Sequence, residues 1–202
     1  QGFFELCGVA VLDLMVIFIA GVLAKRNENG RKPVAVRIYS AVFSLITILL
    51  ICSAMSKMIM YIGEYGLTGL RFYTSWFMIL LGIVFLVLIL HEIFPGMKTV
   101  ATLFISFTVM FSALCFCDPD ARIAQYNVES YLSGEIAETD TGSLAMLSEG
   151  AAPYVERLKD SDSAYYNCCN RVLITMKESR TSGVYFPLSF TSLKANVIYD
   201  RI

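Results

Sequence analysis

Four stretches of the chain are apolar over lengths that few polar residues interrupt, roughly Phe3–Ala24, Ile38–Met55, Tyr73–Ile93 and Thr99–Phe116. A bilayer hydrocarbon core of about 30 Å takes roughly 20 residues of helix. Each stretch is near that length. Within lipid a single open strand would leave its backbone groups unpaired, so each stretch is predicted to be a helix. The pattern changes at Cys117-Asp118-Pro119, where apolar residues begin to recur every three or four positions. Asp118 before Pro119 reads as an N-cap with proline at the first helical position. Ala121, Ala124, Val128, Tyr131 and Leu132 make one face of that helix, and Gly134 can end it. "GSLAMLSEGAAPYVERLKD" reads as two short helices broken near Gly150. Tyr165, Cys169, Val172, Leu173 and Met176 form a stripe on a helix from about Ser163 to Glu178. Ser189 could cap a last helix with Phe190, Leu193 and Val197 inward. The expected fold is all-α: a polytopic transmembrane region of about four spans over residues 1–117, then a small extracytoplasmic helical domain over 118–202.

Composition agrees with the pattern. The 202 residues are 56% hydrophobic and 16% charged, where soluble chains lie nearer 45–50% and ~25%. A formal net charge of −1, with no basic stripe, gives no case for nucleic acid. A chain opening on Gln1 is expected to be a piece or a processed product of a longer one. No basic segment with a small-residue cleavage site marks a signal peptide.

Charge gives the expected direction. Five Lys/Arg lie in "KRNENGRKPVAVR" and Lys98 in "PGMK", against Lys57, Arg71 and Arg122 on the other side. Basic residues gather on the cytoplasmic side. The six-to-three bias therefore puts the first loop in the cytoplasm and residue 118 onward outside.

Between the second and third stretches lies "YIGEYGLTGLRFYTSW". Tyr61, Tyr65, Tyr73 and Trp76 fit an aromatic belt at the membrane–water interface. Lys57 and Arg71 can snorkel there, and the glycines let the backbone turn. Glu64 and Arg71 are candidates for a polar anchor beneath the outer domain.

This segment also carries a resemblance. "YIGEYGLTGLRFYTSWFM" resembles the Tyr-Gly-Leu-Thr…Arg signature of a bacterial family of multi-pass membrane proteins, domain of unknown function four-one-seven-three, related to four-one-five-three. "GFFEL" is similar to that family's entry into an earlier span, "DPDARIAQYNVESYL" to its segment after the last span, and "LSFTSLKA" weakly to its ending. Cys117 departs from the small or polar residue expected there. Pro187-Leu188-Ser189 lacks the ending's Trp and Asn. The resemblance implies the C-terminal portion of a longer polytopic protein. It brings no activity, substrate or catalytic residue.

Chemistry is sparse. Asp13 sits mid-span, where an ionised carboxylate costs several kcal/mol. It is either a proton or cation site facing the bundle interior or a structural group satisfied by a hydroxyl such as Ser44 or Thr47. His91-Glu92 is either a proton relay or a helix-end cap. Cysteines 7, 52, 115, 117, 168 and 169 lack zinc spacing, and adjacent Cys168 and Cys169 bridge each other poorly. A Cys117–Cys169 bridge stays open, with small packing residues the alternative. Glu135, Glu138 and Asp140 suggest a solvated loop, with weak calcium binding the alternative. "GEYGLTG" lacks the lysine and strand of a phosphate loop, and no catalytic triad or carboxylate pair stands out. No metal, cofactor or enzymatic activity is expected. The expected partners are the lipid bilayer and another membrane protein or upstream spans. The leading expectation is a non-enzymatic binding, signalling or assembly component. The alternative is part of a proton- or ion-coupled transporter with Asp13 in its path.

Overall fold

The computed structural model describes residues 2–23, 33–94, 96–182, 195 and 197–199, and every regular element among them is helical. In order these are α1 (Gly2–Leu23), α2 (Val34–Tyr65), α3 (Gly69–Ile93), α4 (Thr99–Phe116), α5 (Pro119–Leu132), α6 (Thr141–Ala145), α7 (Ala152–Ser161) and α8 (Tyr166–Ser182). A 3-10 turn, Glu149–Ala151, leads into α7. Helices α2, α3 and α4 are long and apolar enough to cross a membrane. Helix α1 fills the first expected span over 22 residues, and Gly8–Ile17 is its apolar stretch among the described residues.

The main departure from expectation is the length of α2. Apolar composition fades at Met55, yet the helix continues for another ten residues to Tyr65. Its 32 residues reach about 48 Å at 1.5 Å per residue, well beyond the hydrocarbon thickness. Lys57 and Glu64 thus belong to helix and not to a loop. Ser56 sends its hydroxyl back to the Cys52 carbonyl at 3.0 Å, a bond that keeps a serine compatible with helix. The stop comes from Gly66, at φ 73°, the left-handed conformation that ends many helices. Thr68 then starts α3, accepting the Arg71 backbone N–H on its hydroxyl at 3.4 Å. Three residues remain for the turn.

The chain divides into two compact units, Gln1–Ile59 with Tyr73–Ala113, and Met60–Phe72 with Leu114–Ile202. The second unit takes in the α2–α3 turn as well as the segment expected from 118. In the first, Ala10, Ile51, Met78, Leu81 and Phe85 form the buried cluster. Trp76, placed by its sequence in the aromatic belt, donates its indole N–H to the Met110 carbonyl of α4 at 3.3 Å.

In the second unit the core gathers Ala124 and Val128 of α5, Leu144 of α6, Val155 and Leu158 of α7, and Cys169, Val172, Leu173 and Met176 of α8. The stripe expected around Cys169 is therefore the inward face of α8. Ala195, Ile198 and Tyr199 join the same core, and Lys177 Nζ donates to the Tyr199 carbonyl at 2.7 Å. Two expected inward residues point out: Leu132 is 38% exposed and Val197 55%. Leu132 is the last residue of α5, past the core. Ser189, Phe190 and Leu193 lie outside the described residues.

Asp118 occupies the N-cap position of α5 but in a left-handed conformation, φ 46°, without a side-chain cap bond. Its carboxylate instead approaches the 3-10 turn. A Cβ on Gly150 would stand 2.8 Å from both carboxylate oxygens. Glycine is what that approach admits. Asp140, expected in a solvated loop, caps α6 by accepting the Gly142 N–H at 2.9 Å.

Candidate functional site

In the first unit, a polar stripe runs along α2. The buried residues of α2 are Ser40, Ser44, Thr47 and Ile51. Three carry hydroxyls, and their three- and four-residue spacings place them on one helix face. Thr47 Oγ1 lies 2.7 Å from Asp13 Oδ2 of α1 and 2.9 Å from the Phe43 carbonyl oxygen. The side chain of Asp13 is half-buried, and Oδ1 accepts no hydrogen bond among the described residues. Ser44, the other partner considered for Asp13, is fully buried with its hydroxyl unpaired among the described residues.

The stripe ends at a charged pair. Arg37, one turn before Ser40, lies with Nε 3.4 Å from Glu92 Oε2 near the end of α3. It also donates to the Glu92 carbonyl oxygen. A carboxylate in the last turn of a helix opposes the helix dipole. Arg37 offsets this by meeting both the charge and a terminal carbonyl. His91 Nδ1 sits 2.6 Å from the Thr99 hydroxyl at the start of α4, which makes it a joint between α3 and α4.

In the second unit, Asn127 of α5 clasps the α2–α3 turn. Its Oδ1 accepts the Leu67 N–H at 2.6 Å and its Nδ2 donates to the Leu67 carbonyl at 2.7 Å. One side chain thus satisfies both backbone groups of a turn residue. Gly66 is buried against it, and a Cβ there would come within 2.9 Å of Asn127 Oδ1. Arg71 donates to the carbonyls of Gly66 at 2.6 Å and Tyr65 at 3.2 Å, closing the end of α2. Its guanidinium also lies 5.8 Å from the Tyr65 ring centroid. Glu64 is exposed on the last turn of α2, and no ion pair joins it to Arg71 among the described residues. The link across this turn is amide to backbone.

Elsewhere in the second unit, Tyr131 donates its hydroxyl to Asp162 Oδ2 at 2.6 Å. This bond pushes the phenol up to about 12. The same bond, with the Ala164 N–H on Oδ1, holds Asp162 below its ordinary value. An open groove of about 610 Å³ is lined by Lys159, Asp160, Ser163, Tyr166 and Asn167, with Lys159 Nζ 5.9 Å from the Tyr166 ring centroid. Cys117 and Cys169 are both free, so the bridge left open by the sequence is not formed. Burial, and then neighbouring Cys168, push the Cys169 thiol up to about 11.

The sequence model of the family described as Domain of unknown function (DUF4153) matches residues 1–158. The chain belongs to that family. No curated protein and no solved structure matches it. The DUF4153 match takes in α1–α6 and most of α7, so the turn at Gly66–Thr68 and its partner Asn127 both fall within the family region. With its apolar helices, this DUF4153 member is a multi-pass membrane protein. Asp13 was legible as a mid-span carboxylate, whereas Arg37, Ser40 and Asn127 were not singled out. The signal for Arg37 and Ser40 is the 37-40-44-47 spacing, and for Asn127 its place in "DPDARIAQYNVESYL" and on the inward side of α5.

Proposed function

We propose that the chain is a non-enzymatic membrane component whose second unit, held outside the cytoplasm, binds or assembles with another membrane protein. The observation that carries this reading is the Asn127 clasp on Leu67. It makes the turn between two spans part of the helical unit. A partner seated on α5–α8 therefore has a covalent and hydrogen-bonded route to the ends of α2 and α3. The Lys159–Tyr166 groove supplies charge of both signs and an aromatic face, a surface suited to a polar segment of a protein partner. A photoreactive residue at Tyr166 in native membranes should give a discrete protein adduct. Lys159→Ala with Asp160→Ala should abolish it. No adduct from Tyr166, Ser163 or Asn167 would contradict the reading. A second reading, a proton-coupled transport component with Asp13 in the path, is favoured by one observation: three hydroxyls of α2, those of Ser40, Ser44 and Thr47, lie on a single buried face.

A further inference from the structure

The contacts of Thr47 constrain the state of Asp13. A threonine hydroxyl carries one hydrogen and can accept others. Thr47 Oγ1 is within bonding distance of two acceptor-type oxygens, Asp13 Oδ2 at 2.7 Å and the Phe43 carbonyl at 2.9 Å. With an ionised Asp13, one hydrogen must serve both. With a proton on Oδ2, the carboxyl donates to Thr47 and Thr47 donates to Phe43. Each hydrogen is then used once.

The surroundings fit. On α2 the ionisable groups are Arg37, half-buried and engaged with Glu92, and Tyr39, Cys52, Lys57, Tyr61, Glu64 and Tyr65, all exposed. On α3, Arg71 meets the Tyr65 and Gly66 carbonyls, Tyr73 is exposed, His91 meets Thr99 and Glu92 meets Arg37. On α1, Glu5 is exposed two turns away. No basic side chain of α2 lies within a turn of Thr47 to neutralise a carboxylate. An intramembrane carboxyl so placed is expensive when ionised and is a common proton-relay element.

We propose that Asp13 is a proton-binding site, filled and emptied along the Ser44–Ser40 face of α2 from the Arg37–Glu92 end. Protonation adds one proton to Oδ2 and removes one negative charge, with no other bond altered. Ser44 carries the second, independent observation: it is wholly buried, lacks a partner among the described residues and lies one turn from Thr47 on the same face. An unpaired buried hydroxyl is costly. A water entering this face would find in Ser44 a hydroxyl able both to accept and to donate a hydrogen bond, one turn from Thr47. From Arg37 to Thr47 the face spans about 15 Å at 1.5 Å per residue, half a bilayer core. The proposal does not rest on the binding role of the second unit.

Infrared difference spectroscopy of the full chain in lipid vesicles tests it. A protonated-carboxyl band should be present, vanish in Asp13→Asn, move in Asp13→Glu and shift in Thr47→Val, which keeps the carboxyl. Should Asp13→Asn fail to insert, the Asp13→Glu and Thr47→Val spectra carry the test alone. On transfer to heavy water, the band should exchange more slowly in Ser44→Val than in the exposed-site control Ser53→Val. A spectrum unchanged by Asp13→Glu and Thr47→Val would overturn the site. Equal exchange in Ser44→Val and Ser53→Val would overturn the route.

Discussion

Asn127 concentrates much of the second unit's specificity in one amide. Leu67 presents both its N–H and its carbonyl to that side chain. Asn127→Leu would leave two backbone groups without their protein partners, at about 1–3 kcal/mol by the cost of unmet buried hydrogen bonds. Limited proteolysis should then cut within α5 sooner, with the spans still inserted. Glu64→Ala should leave protection unchanged, since Glu64 is exposed. Tyr131 and Asp162 give a pH signature. Asp162 is held below its ordinary 3.8, so its contribution is present above that value and is lost as pH falls through the lowered one. Tyr131 is raised from 10.0 to about 12, so its contribution is intact below pH 10 and disappears as pH rises toward 12. Thermal melts of wild type should therefore lose an increment across pH 10–12 that Tyr131→Phe lacks. Parallel curves for the two proteins would remove the bond from the unit's stability.

Helix α2 shows what a single element asks of its neighbours. Three of its four buried residues are polar, and its first turn supplies Arg37 to a Glu92 that is only 9% exposed. Arg37→Leu should lower the melting temperature in detergent, by a stability loss of about 1–3 kcal/mol because Arg37 is itself partly exposed. Adding Glu92→Leu should recover most of it, since the uncompensated charge goes too. If the double variant melts no higher than Arg37→Leu, the pair is not the source. The same helix marks how far sequence reading reaches. Hydropathy located the spans because lipid imposes one requirement on every residue in contact with it. It ended α2 ten residues early because polar residues beyond the hydrocarbon are as helical as apolar ones. The actual stop rests on the backbone angle of Gly66, and its necessity on Asn127, sixty-one residues away. Asp13 was legible because a mid-span carboxylate is rare. Thr47 and Ser44 both stand within reach of it in the sequence, and only the structure gives the bond to Thr47; Ser40 carries no signal, since an isolated serine in an apolar run looks like any other until a neighbour decides which face is buried.

For the molecule as a whole, membership of the DUF4153 family and three described helices long enough to span make it a membrane protein. The proposed role depends on which side the second unit occupies. The six-to-three excess of Lys and Arg on the first and third connections predicts the side away from the cytoplasm. Ser161 is exposed at the end of α7 and offers a place to look. In a background with the native cysteines replaced, Ser161→Cys should react with a membrane-impermeant thiol reagent on intact cells, before any membrane is opened. Labelling only after the membrane is opened would put α5–α8 in the cytoplasm and contradict the proposed role.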